Sequence, residues 1–288
     1  MPKLIKIAQE YAYLKGIEVK PVMIAIRQLI DICGDKNIED YDRADARNFI
    51  DKYENVKTTT IRRRLNSINA VFNWAAYELD LERRNPFAHL LIKGEGKDAQ
   101  KRKPFSVTEL KNLYGQSLSH GKLRLIIPIL GETGCRLSEV LGATKKDIYP
   151  VDNSLILHVR ENCSRGLKTT GSNRQVPIVS ECARTAIEML FKSCSSSQYI
   201  FPRYARDGYL NNTTASATLC KFLRAEFDGK TANCLRHSLR DRLRDADVPL
   251  EAIDQIGGWS TVKGTGTLYG NGYTVSKLAH FKNSLIYY

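Results

Sequence analysis

Thr133-Gly134-Cys135-Arg136-Leu137-Ser138-Glu139-Val140-Leu141 decides how the second half of this chain folds. Gly134 breaks one helix, Ser138 is placed to cap the next, and Arg136 is left in the turn between them. Taken alone, Arg136 reads as a surface arginine at a helix junction. Upstream, residues 123–132 are apolar enough for a buried helix, and Ser106-Val107-Thr108-Glu109 is a capping box that opens an earlier one. Downstream, residues 154–159 and 174–178 are strand-like, joined by a polar, Gly-containing connection. Helices are predicted at about 180–192, 214–227, 233–246 and 249–256. The fold class is therefore mostly α with a small antiparallel β-sheet.

The first half reads as helical to about residue 91. Its clearest segment is 58–78, where Thr58, Thr59 and Thr60 offer an N-cap and Ile61, Leu65, Ile68, Val71, Phe72 and Ala75 form one apolar face. Arg62, Arg63 and Arg64 follow the cap, and at most one can lie near that face. The others project outward at a helix N-terminus, which suits phosphate contact or, equally, a solvated basic surface. Arg83-Arg84-Asn85-Pro86-Phe87 ends the helical run. The polar, Gly- and Lys-rich stretch 93–104, which includes Lys101, Arg102 and Lys103, reads as a basic linker able to follow DNA. The division is 1–92, linker 93–104, and 105–288.

Composition narrows the partners. Among 288 residues, 44 Lys and Arg face 31 Asp and Glu, a formal charge of +13 with a pI near 9.4. That excess favours a polyanion, nucleic acid before an acidic membrane surface. Seven cysteines with no C-x-x-C pair or Cys/His metal spacing disfavour a disulfide framework and a structural zinc, and fit a reducing cytoplasm. The longest apolar stretch, 125–130, is broken by Pro128 and far too short to span a bilayer.

Two further patches carry chemistry. One is Leu167-Lys168-Thr169-Thr170 followed by Arg174-Gln175-Val176-Pro177-Ile178. The other joins Asn233-Cys234-Leu235-Arg236-His237, Ile256-Gly257-Gly258-Trp259-Ser260 and Tyr269-Gly270-Asn271-Gly272-Tyr273. Each has a bland reading: a solvated lysine, a cap, a core tryptophan, a surface tyrosine. Their order changes the weighting. Together with T-G-C-R-L-S-E at 133–139 and L-R-H-S-L-R-D-R-L at 235–243, the set resembles the tyrosine recombinase (phage integrase) family. The R-R-R-L-N-S-I-N-A-V-F-N-W-A run from Arg62 and the following N-P-F are similar to that family's core-binding domain.

The resemblance implies an N-terminal helical core-binding domain that clamps DNA and a C-terminal α+β catalytic domain; the chain reads as short for a full extra N-terminal arm-binding domain, with the region before Tyr11 either a remnant of one or the point of a truncation. It implies Arg136 and Arg236 as a guanidinium clamp on the scissile phosphate and Tyr269 as the nucleophile forming a 3′-phosphotyrosine. Lys168 would protonate the leaving 5′ oxygen and Trp259 would donate its indole N–H to the phosphate. Glu139 would support the Arg136 turn, and His237 would pack or make a secondary hydrogen bond. No cofactor, ATP or metal is implied.

Two registers compete. His237-Ser238-Leu239-Arg240 spells the family's H-x-x-R box, but Arg236 lies 23 residues before Trp259, the usual family interval, whereas Arg240 lies 19 before it. With Arg236 catalytic, Asn233 takes the usual His position and cannot shuttle a proton. Arg240 and Arg242 then become outer charges. Tyr269, ten residues after Trp259, fits the family interval better than Tyr273 at fourteen. Gly264 and Gly266 precede it, so the nucleophile is expected on a mobile element that docks in an assembled complex. An amphipathic helix over 275–286 would pack on a neighbouring subunit or on its own domain.

The implied protein integrates or excises a phage or mobile element in a bacterial cytoplasm. It acts as a homo-tetramer on double-stranded DNA at a specific attachment site, with DNA-bending accessory proteins and no membrane partner. The alternatives are a catalytically impaired, recombinase-like DNA-binding protein, supported by Asn233, and a type IB topoisomerase.

Overall fold

In the computed structural model, residues 2–100, 103–152, 154–167, 172–194, 196–259 and 272–285 are described. The chain divides into two compact units, 1–101 and 102–288. The first is helical: α1 (Leu4–Leu14), α2 (Val19–Cys33), α3 (Arg43–Lys52) and α4 (Thr58–Glu78). α1, α2 and α4 pack against one another. Leu4, Ile26, Leu29, Phe49, Leu65 and Ile68 are fully buried between them. The apolar face of α4 is the predicted one, and Ile61, Leu65, Ile68, Val71, Phe72 and Ala75 are all buried.

The threonine cap of α4 is not what forms. The helix begins at Thr58 with no side-chain cap of its own. Asp98 instead accepts from the Thr58 backbone N–H at 2.6 Å and from its hydroxyl at 2.5 Å. Glu95 takes Arg62 Nε and Nη2 at 2.6 and 2.7 Å. Part of the expected linker is thus a series of turns held onto the start of α4. Asn85 pins the N-P-F turn to the same helix through Asn69 and Asn73, at 2.8 and 2.6 Å.

The second unit begins with α5 (Val107–Ser119), opened by the expected box: the Ser106 hydroxyl accepts from Glu109 N–H at 3.2 Å, and Ser106 N–H donates to Glu109 Oε2 at 2.6 Å. Next come α6 (Ile126–Thr133), every residue of which is buried, and α7 (Leu137–Leu141). β1 (Ile148–Val151), β2 (Ser154–Val159) and β3 (Arg174–Ile178) form an antiparallel sheet in that order, with Leu157 facing Ile148 on one side and Val176 on the other. β1 was not predicted. α8 (Glu181–Ser193) follows, then the small hairpin β4 (Ala205–Arg206) and β5 (Tyr209–Leu210). The rest is α9 (Asn212–Glu226), α10 (Ala232–Asp245), α11 (Leu250–Gly257) and α12 (Val275–Asn283). α6 lies centrally, against α5, α7, α8, α10 and β3.

α12 packs on its own unit, against β3. Leu278 and Ala279 are buried there, and so is Lys282, whose ammonium donates to the carbonyls of Glu132 and Pro177. No helix among the described residues is long and apolar enough to cross a membrane.

Candidate active site

The site starts at the C-terminus of α6. Gly134 sits at φ +65°, the left-handed conformation that closes a helix without a Cβ penalty. A Cβ there would lie 2.9 Å from Leu239 of α10, so the glycine also permits the close approach of that helix. Arg136 then leaves in extended backbone (φ −71°, ψ 152°) and is itself the N-cap of α7. Ser138, the expected cap, falls inside the helix. Glu139, three residues on, accepts the Arg136 backbone N–H at 2.8 Å and Arg136 Nη1 at 2.7 Å. The turn and the guanidinium are held by one carboxylate.

The same carboxylate holds a second arginine. Arg174, first residue of β3, donates to Glu139 Oε2 at 2.9 Å, to the Ser172 carbonyl at 2.9 Å and to the Ile256 carbonyl at 2.9 Å. Its side chain is only 4% exposed, as is that of Glu139. Burial alone would raise the Glu139 pKa, but the charge and hydrogen bonds of Arg174, with those of Arg136, outweigh it and hold the carboxyl below its ordinary value. In the sequence Arg174 reads as the first residue of a strand with no role of its own in the site. The signal available was its register: it stands two and four residues before Val176 and Ile178, both buried, so an inward arginine there must find an anion.

The third arginine comes from α10. Arg236 is buried, donates Nη1 to the Gly134 carbonyl, and lies 4.3 Å from the centroid of the Trp259 indole. Burial, then the charges of Arg174 and Arg136, push its pKa down to about 10. A cation destabilised by its cationic neighbours marks a place that an anion would stabilise. Arg240, one turn further along α10, stacks on the same indole at 4.7 Å and pairs with Asp254 of α11 at 3.0 Å. Trp259 owes its position to two glycines. Gly258 ends α11 at φ +61°, and a Cβ on Gly257 would fall 1.9 Å from the Trp259 ring. A Cβ on Gly258 would strike the Arg174 guanidinium at 2.8 Å. Arg136 and Arg174 therefore share Glu139, Arg240 takes Asp254, and Arg236 lies among them on the Gly134 carbonyl and the Trp259 ring.

Asn233 and His237 are both exposed on α10, with Asn233 Nδ2 3.4 Å from His237 Nε2. Arg242 turns away from the exposed stripe and pairs with Glu132 at 2.8 Å, next to Tyr114. Tyr273 is held back from the cluster: Gln255 of α11 pins its backbone N–H at 2.9 Å, and its ring packs edge-on to Phe281 of α12 at 5.4 Å. Lys168 and Tyr269 lie outside the described residues, as do Lys101 and Arg102. In the first unit, Arg62 is committed to Glu95 and the Leu90 carbonyl, and Arg64 stacks on Tyr53 at 4.9 Å. Arg63 and Lys103 are exposed.

Residues 106–274, well over half of the chain, match the phage integrase family. No curated protein matches the sequence. Among solved structures, the chain is similar to the Tn1549 transposon integrase in complex with circular intermediate DNA, at 19% identity and a TM-score of 0.69, covering 97% of this chain and 99% of that one. It is similar to the lambda integrase tetramer bound to a Holliday junction, at 15% identity and a TM-score of 0.67, covering 91% and 81%. The lambda integrase dimer on a core site gives 14% and 0.67, over 98% and 78%. The mostly helical fold with its small antiparallel sheet is shared with these integrases, and the chain belongs to the phage integrase family, the tyrosine recombinases.

Proposed function

We propose that this protein is a site-specific DNA strand transferase that cleaves and rejoins DNA through a 3′-phosphotyrosine. The observation that carries the reading is the gathering of three arginines: Arg136 and Arg174 share the Glu139 carboxylate, and Arg236, held on the Gly134 carbonyl and the Trp259 ring, has its pKa pushed down by burial and then by the charges of those two. A phosphodiester under in-line attack develops charge on its non-bridging oxygens, and forked guanidinium donors meet that charge. Arg136 and Arg236 are the clamp. Arg174 is the buried strut that keeps Glu139 ionised beneath it. Trp259, whose ring is stacked by Arg236 and Arg240 of α10, donates its indole N–H to the phosphate. Tyr269 attacks phosphorus, Lys168 protonates the departing 5′ oxygen, and the freed hydroxyl of a partner strand reverses the step.

The first unit serves as the core-binding domain, with Arg63, Arg64 and the basic residues Lys101, Arg102 and Lys103 as phosphate contacts. By likeness to the lambda integrase tetramer on a Holliday junction, the active assembly is a homo-tetramer on two duplexes, mobilising a phage or transposon in a bacterial cytoplasm.

Covalent trapping tests the reading. The full chain is incubated in EDTA with nicked duplexes selected from a randomised pool for binding to it, then run on a denaturing gel beside Tyr269→Phe and Tyr273→Phe. A protein–DNA band lost only in Tyr269→Phe is the expected result. Site-specific binding with no band would replace the proposal with the recombinase-like binding protein. Plasmid relaxation without recombinant product would favour the topoisomerase.

A further inference from the structure

Tyrosine hydroxyls titrate near pH 10, so attack at neutral pH requires a group that takes the phenolic proton as the bond to phosphorus forms. The guanidinia of the cluster cannot serve, because arginine keeps its proton. Glu139 cannot reach out: it is buried and both oxygens are taken by Arg136 and Arg174. Asp254 is buried against Arg240. Asn233, exposed at the start of α10, is an amide and cannot take up a proton near neutral pH.

One imidazole remains among the described residues of the cluster. Asn233, Arg236, His237 and Arg240 occupy i, i+3, i+4 and i+7 of α10 and form one stripe. Arg236 and Arg240 bend onto Trp259, and Asn233 and His237 stay exposed beside them. The Asn233 amide donates toward His237 Nε2 at 3.4 Å. In that contact Nε2 is the accepting nitrogen, and at 3.4 Å it is long enough to be exchanged readily for a substrate hydroxyl.

We propose that His237 is the proton acceptor for the attacking tyrosine, placed one helical turn from Asn233 and next in the chain to the clamp residue Arg236. The inference rests on the strand-transfer reading above. In the step, the bond from the Tyr269 phenolic oxygen to phosphorus forms while the bond from phosphorus to the 5′ oxygen breaks. The phenolic proton passes to His237 Nε2, and the 5′ oxygen receives its proton from Lys168. Religation returns both protons. Asn233 acts as a positioning residue that presents the imidazole edge.

The test is single-turnover adduct formation by the full chain on the selected nicked duplex, with DNA affinity measured alongside. His237→Gln should bind DNA as the parent does and form adduct about 100-fold more slowly, within the usual range for loss of a general base. Free imidazole, or Asn233→His added to His237→Gln, should restore much of the rate. A duplex with a bridging 5′-phosphorothiolate, whose leaving group needs no proton, should leave His237→Gln slow. A His237→Gln rate within about threefold of the parent overturns the proposal. So does restoration by the phosphorothiolate, which would make His237 the leaving-group acid, and so does a loss that neither imidazole nor Asn233→His repairs. If the parent itself binds but forms no adduct, the strand-transfer reading fails and this one fails with it. If the parent forms adduct and His237→Gln keeps its rate, only this one fails.

Discussion

Replacing Glu139 by Gln removes the one charge that Arg136 and Arg174 share while keeping the shape of the side chain. Arg174 is the residue that suffers. Its side chain is 4% exposed, and among the described residues Glu139 is its only carboxylate partner. Uncompensating one member of a buried pair costs about 3–5 kcal/mol. The low end applies, because the carbonyls of Ile256 and Ser172 still accept from Arg174 and the glutamine oxygen can accept one more bond. For a unit of this size about 3 kcal/mol corresponds to a fall in Tm of roughly 6–12 °C.

The molecule carries its own reporter: Trp74 lies in the first unit and Trp259 in the second, so Trp259 fluorescence in a Trp74→Phe background follows the relevant transition. The effect should also depend on pH. Glu139 has a depressed folded-state pKa, so its contribution is complete above the unfolded value near 4.3 and fades as pH falls through the lower folded value. The gap between parent and Glu139→Gln should therefore be full at pH 7 and narrow below about pH 4. A Tm change under about 2 °C at pH 7, or a gap indifferent to pH, would refute the argument that this carboxylate holds the arginine cluster together.

Other outcomes follow from single contacts. Gly257→Ala pushes the Trp259 ring off Arg236 and Arg240, so adduct formation should fall at least tenfold in a gel assay while the first unit's Trp74 signal is unchanged. Lys282 is pushed down to about 8 by burial, so the stability it contributes rises as pH increases from about 8 to 10.4; in Lys282→Met that part of the slope should vanish from a pH series of denaturant melts. Asp98→Ala strips the α4 N-terminus of its acceptor and should lower stability by about 1 kcal/mol, read as earlier urea unfolding by Trp74 fluorescence. Arg63→Ala should reduce the slope of log affinity against log salt by about one phosphate contact.

The elements that were legible are those written in local pattern. The face of α4, the Ser106–Glu109 box and the strands at 154–159 and 174–178 depend on residues a few positions apart. What escaped depends on distant partners. Asp98 caps a helix that begins forty residues earlier. The strand at Ile148–Val151 contains Pro150, and it exists because β2 offers it a pairing edge. Ser138 looked like a cap, but Gly134 ends α6 so sharply that Arg136 reaches the capping position first, with Glu139 in register below it. The site divided the same way. Arg136, Arg236 and Trp259 stand out by motif, whereas Arg174 is recognised only once Glu139 is seen to face two arginines.

α12 also settles how this unit behaves as a material. β3 is an outer strand of a three-stranded sheet, and such a margin offers unpaired backbone groups to any extended chain that meets it. With Leu278 and Ala279 laid against β3 and the Lys282 ammonium on the Pro177 carbonyl, that margin is shielded by the chain's own last helix. A chain cut before Val275 would bare the margin, and concentrated samples of it should cloud and gain cross-strand aggregates while the full chain stays clear.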